Sequence, residues 1–112
     1  MKVTGNVSDK EVKVLGVIGC DKSLKDLVDI PFRVAGVVTD TEKKTSPNGD
    51  EYQTCFAKLT VNDVTEWFKF TQTVVGKQLV DIIENDLAND IDWTVSYATS
   101  ADGNRYLTIA MA

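Results

Sequence analysis

Tyr52, Phe56, Lys58, Trp67 and Lys69 set rings and ammonium groups side by side along two successive apolar runs of the sequence. Aromatic faces stack on flat ligands and lysines between them meet anions, so this pattern suits an unpaired nucleic-acid strand. A packed reading stands beside it, in which Phe56 and Trp67 lie under the N-terminal arm and each lysine lies across an aromatic cross-strand partner. Lys43 and Lys44, in a polar stretch, and Arg105 with Tyr106, next to Asp102-Gly103, are further candidate contacts for the same ligand.

Other chemistries find little to use. The chain has no histidine, which removes the commonest general base and the usual catalytic triads. Its two cysteines, Cys20 and Cys55, lack Cys-x-x-Cys spacing and read as small reduced hydrophobes rather than as a zinc site or a disulfide. No catalytic residue, metal or cofactor is expected, and the protein is read as a non-enzyme. A metal-dependent nuclease built on Asp40 and Asp50 is the weakest reading, because acidic residues in a turn-rich loop are usually just solvated. The net charge of −5 is awkward for a phosphate ligand, since that affinity comes from local Lys and Arg. Several acids, Asp81, Glu84, Asp86, Asp90 and Asp92, gather on or just after a predicted helix, away from the candidate face.

The elements that must carry these residues follow from periodicity. A length of 112 residues and 43% hydrophobic content fit one domain. Residues 1–22 form an arm or an extra strand, left unassigned because Gly16 and Gly19 interrupt the apolar run from Glu11 to Ile18. Ser23 with Asp26 predicts a capped helical turn, and residues 30–39 a bent strand with a bulge at Gly36. A polar loop spans 40–51, where Pro47-Asn48-Gly49 signals a turn. Residues 52–61 and 64–73 predict two strands joined at Asn62-Asp63. Val75, Leu79, Ile82, Ile83 and Leu87 recur at helical spacing within 74–89, with Thr73 as the expected N-cap. Residues 91–99 and 104–111 then predict a hairpin turning at Asp102-Gly103.

Three strands, a helix and two strands make a mostly β domain with the order of a five-stranded OB-fold, a partly open β-barrel with its helix between strands 3 and 4. An open sheet with the helix on one face is the alternative. A two-residue tip at Asn62-Asp63 fixes the partners Val61/Val64, Leu59/Glu66, Lys58/Trp67, Ala57/Phe68, Phe56/Lys69 and Cys55/Phe70. One face then carries Cys55, Ala57, Leu59, Phe68 and Phe70 as core, and the other carries Tyr52, Phe56, Lys58, Trp67 and Lys69. In the last hairpin, Leu107, Ile109 and Met111 are read on one face, with Trp93, Val95, Tyr97 and Tyr106 on the other. Trp93 is expected in the core, and Tyr106 stands between core and contact.

The layout resembles the small single-stranded DNA-binding proteins of tailed bacteriophages, over roughly residues 23–112. The likeness rests on Ser23-Leu24-Lys25-Asp26-Leu27 leading into Ile30–Val38, the polar loop, the Trp67 strand and its helix, and Ser100-Ala101-Asp102-Gly103-Asn104-Arg105-Tyr106-Leu107-Thr108-Ile109. The resemblance implies an OB-fold, sequence-independent binding and protection of displaced strands during phage DNA replication, and contact through Tyr52, Phe56, Lys58, Trp67 and Lys69. Single-stranded DNA is the expected partner, with replication proteins and a second copy as further candidates and no membrane. The N-terminus lacks the apolar run of a signal peptide, so a cytoplasmic location is expected, in the host cell if the protein is phage-encoded. A departure from the resemblance is the absence of an acidic, Pro- and Gly-rich tail like the one many bacterial single-stranded DNA-binding proteins use to recruit partners. The competing function is a protein-interaction or structural module using the same aromatic face.

Overall fold

The structure, a computed structural model, describes all residues from Met1 to Ala112. In chain order the elements are β1 (Lys2–Gly5), α1 (Asp9–Val17), a 3₁₀ turn (Leu24–Leu27), β2 (Arg33–Thr39), β3 (Lys44–Thr45), β4 (Glu51–Tyr52), β5 (Cys55–Val61), β6 (Val64–Phe70), α2 (Thr73–Glu84), β7 (Trp93–Thr99) and β8 (Arg105–Met111). β1, β2, β5 and β6 lie in that order in one antiparallel sheet, and β7 pairs with β8 in a second. The fold is mostly β with two helices, one of them between the third and fourth of the long strands.

The sheets do not close into a barrel. Isolated pairings link them instead: Phe32 with Trp93, Val28 with Val95, and Ser23 with Lys69. Phe32 and Trp93 exchange two backbone hydrogen bonds of 2.8 Å. The 3₁₀ turn bridges the remaining gap, touching both β6 and β7. It starts with the expected Ser23–Asp26 box, and its Leu24 and Leu27 are buried. These join Phe32, the inner residues of β2, β5 and β6, Val75, Leu79 and Ile82 of α2, and Val95, Leu107 and Ile109 in one core.

The β5–β6 hairpin has the expected register at every pair from Val61/Val64 to Cys55/Phe70. Asn62 and Asp63 both take positive φ, which a two-residue turn of this hand requires. The last hairpin differs. Its loop is Ala101-Asp102-Gly103, with only Gly103 at positive φ, so the register slips by one residue from the two-residue expectation. A slip of one reverses which face each residue takes. Trp93, Val95 and Tyr97 therefore share a face with Met111, Ile109 and Leu107, and Tyr106 alone of that group turns the other way.

Three further expectations change. The run Glu11–Ile18, a possible strand, is largely helix, because Ser8 and Glu11 form a complete capping box at its start. The N-cap of α2 is Gln72 rather than Thr73, and the helix ends at Glu84. Within the polar loop, β3 and β4 form a short ribbon that sets Lys44 opposite Tyr52. Its turn is closed by hydrogen bonds from Ser46 N to the Asp50 carbonyl and from Gly49 N to the Ser46 carbonyl.

Candidate nucleic-acid interface

Gly5 and Gly36 decide what covers the outer face of the large sheet. Gly5 has φ +85°, and a Cβ there would lie 2.7 Å from the Ala35 carbonyl oxygen. That conformation, open to glycine, turns the chain from the edge of the sheet across its surface. Asn6 N then donates to the Ala35 carbonyl at 3.0 Å, and Val7 passes so close to Gly36 that a Cβ there would meet Val7 Cγ2 at 2.5 Å. The expected irregularity in this strand is real, with the register shifting between Val34 and Gly36. It makes room for the crossing chain.

Helix α1 therefore lies against β5 and β6 on the side away from the core. Lys58, opposite Gly36, donates from Nζ to the Asn6 carbonyl at 3.1 Å and forms an ion pair with Glu11 Oε2 at 3.0 Å. Trp67 Nε1 donates to the same Glu11 oxygen at 3.1 Å. Ser8 N and Ser8 Oγ donate to Glu11 Oε1 at 3.1 and 3.2 Å. The Ser8 backbone bond, then Lys58 and Trp67, hold the Glu11 carboxyl down to about 2 from 4.5, against an opposing push from burial. Leu15 of α1 and Val38 of β2 are both buried outside the main core, and Val38 shares the outer face with its partner Phe56.

The predicted site residues thus divide. Phe56 and Trp67 are half-buried, and the Lys58 side chain is 19% exposed and paired; Lys58 and Trp67 both bond to Glu11 of α1. Lys69, on the same face of β6, is exposed. Tyr52, Lys43 and Lys44 are exposed on or beside the β3–β4 ribbon. Tyr52 and Lys43 line an open cleft of about 800 Å³ between the ribbon and α2, with Lys2 and Lys77 but also Asp40, Glu51, Asp81 and Glu84. Acids outnumber lysines there, which disfavours an anionic ligand. Arg105 and Tyr106 are exposed near the hairpin tip, and the Arg105 guanidinium stacks on Tyr97 at 3.9 Å. Trp93 is half-buried against the core and donates from Nε1 to the Leu87 carbonyl at 3.2 Å.

All three tyrosines, Tyr52, Tyr97 and Tyr106, are among the exposed large side chains, whereas no phenylalanine or tryptophan is. Glu11 is the residue the sequence reading missed. Its signal was local: Ser8-Asp9-Lys10-Glu11 is a Ser-x-x-Glu box, which marks a helix start. The charge is also uneven along the chain, the first 33 residues holding six of the 12 basic residues but five of the 17 acidic ones. Lys10 and Lys13 lie exposed on α1, so the side of the molecule covered by that helix is less acidic than the α2 side.

No group of residues suited to hold a metal ion is present, and no helix is long and apolar enough to cross a membrane. Comparison with protein families, curated proteins and solved structures gave no match.

Proposed function

We propose that this chain binds single-stranded DNA, without catalysis, through the outer face of β5 and β6. The observation that carries the reading is the convergence of Lys58 Nζ and Trp67 Nε1 on one carboxylate oxygen. A cation and a ring on a sheet face, already holding an anion, are the two components that a stacked base and its phosphate require. Phe56 and the exposed Lys69 extend that face, and the order of three strands, helix and two strands agrees with an OB-type platform for it. A role in protecting displaced strands during bacteriophage DNA replication, in the host cytoplasm, belongs to the same proposal.

The test is a titration with oligothymidine of matched single-stranded and duplex forms, read by Trp67 fluorescence in a Trp93→Phe background. Single strands are expected to bind more tightly than duplex, and affinity to fall steeply with salt. Lys69→Ala should flatten the salt slope by about one unit if that lysine meets one phosphate. Equal affinity for both forms, or a salt-independent affinity, overturns the proposal. The second reading, a protein-interaction module, draws on the exposed Val14, Val17 and Ile18 at the end of α1, an apolar stripe that faces no partner within the chain.

A further inference from the structure

The face proposed for DNA is covered, and the cover is held in an unusual way. Leu15 is the one buried side chain of α1, while Val14, Val17 and Ile18 stand in solvent. Most of what fastens the helix is polar: Glu11 to Lys58 and Trp67, and Lys58 to the Asn6 carbonyl. The segment is flanked by Gly5 and Gly19, both at positive φ, a conformation glycine takes at little steric cost. Segments with little apolar burial open locally at a free energy below that of global unfolding.

We infer that α1 is a displaceable cover on the β5–β6 face, and that the Glu11 carboxylate stands where a backbone phosphate of single-stranded DNA binds. This rests on the proposed function and adds its regulation. The internal carboxylate supplies one anion to Lys58 and Trp67. A polynucleotide supplies several phosphates, and its bases stack on the half-buried Trp67 ring that Glu11 now holds and on Phe56 of the same sheet face. Binding and helix docking exclude each other, so the apparent affinity is reduced by the fraction of molecules in which α1 is open.

The experiment measures oligothymidine affinity for the parent and for Glu11→Gln, together with hydrogen exchange of the backbone amides of residues 12–18 in the parent with and without oligonucleotide. The charge-neutral variant is expected to bind at least about fivefold more tightly, because the competing anion is gone. Oligonucleotide is expected to speed exchange of those amides in the parent, and this second measurement needs no variant to fold. Equal or weaker binding by Glu11→Gln, or amides that become more protected on binding, overturns the cover while leaving DNA binding in place. Absence of oligonucleotide binding by either protein removes the proposed function and the cover with it.

Discussion

Glu11 accepts hydrogen bonds from Ser8, Lys58 and Trp67. Its carboxylate caps its own helix and ties that helix to two residues of the sheet. Since the carboxyl is held at about 2, below its ordinary 4.5, the stabilisation it gives is complete above about pH 4.5 and is lost as pH falls through about 2. Glu11→Gln should therefore cost about 1–3 kcal/mol at neutral pH, the worth of hydrogen bonds to a charged group, and the difference from the parent should shrink towards pH 2. Urea unfolding of both proteins across that window checks it. Trp67 joins the two roles. Trp67→Ala should weaken oligothymidine binding about ten- to a hundredfold through one lost stack. It should also lower stability by about 2 kcal/mol, because the ring is half-buried and bonded rather than free. Titration and thermal melting separate these losses. Lowered stability with unchanged binding would make the ring purely structural.

At the scale of elements, some were legible in the sequence and others were not. The β5–β6 register could be read because Asn62 and Asp63 both tolerate positive φ and fix a two-residue turn. The β7–β8 register was misread by one residue because Asp102-Gly103 also fits a three-residue loop in which Gly103 alone bends. Helix α1 hid behind Val12, Val14 and Val17, β-branched residues that favour strands, and behind Gly16; its capping box and docking override those local preferences. The packing of Trp67 against the N-terminal segment was foreseen only as an alternative, since Lys58 and Trp67 lie 47 and 56 residues from Glu11 and no local pattern links them. Gln78 of α2 shows the same kind of distant bond. Its side chain accepts from Ile109 N at 2.9 Å and donates to the Thr108 hydroxyl at 2.9 Å, finishing the outer edge of β8. Gln78→Ala should cost about 1–3 kcal/mol by stranding the Ile109 amide, and should speed hydrogen exchange at that amide first.

For the whole molecule, the placement of α1 has a consequence in time. The helix can begin to form from its own capping box, yet the side chains that receive it, Lys58 and Trp67, lie 47 and 56 residues further along the chain. Contacts between such distant parts of the chain close late, when loop-closure entropy has already been met by the sheet. Helix docking should then come after the rate-limiting barrier. Leu15→Ala, which removes the one apolar anchor of α1, should speed unfolding while leaving the refolding rate nearly unchanged. Stopped-flow chevrons of parent and variant decide the matter: a slowed refolding limb would place the helix in the folding nucleus. With late docking, each newly made molecule passes through a stage in which the sheet is built and its aromatic face is still bare. On the proposed DNA-binding reading, a chain leaving the ribosome near an unpaired strand would meet it before its own helix arrives.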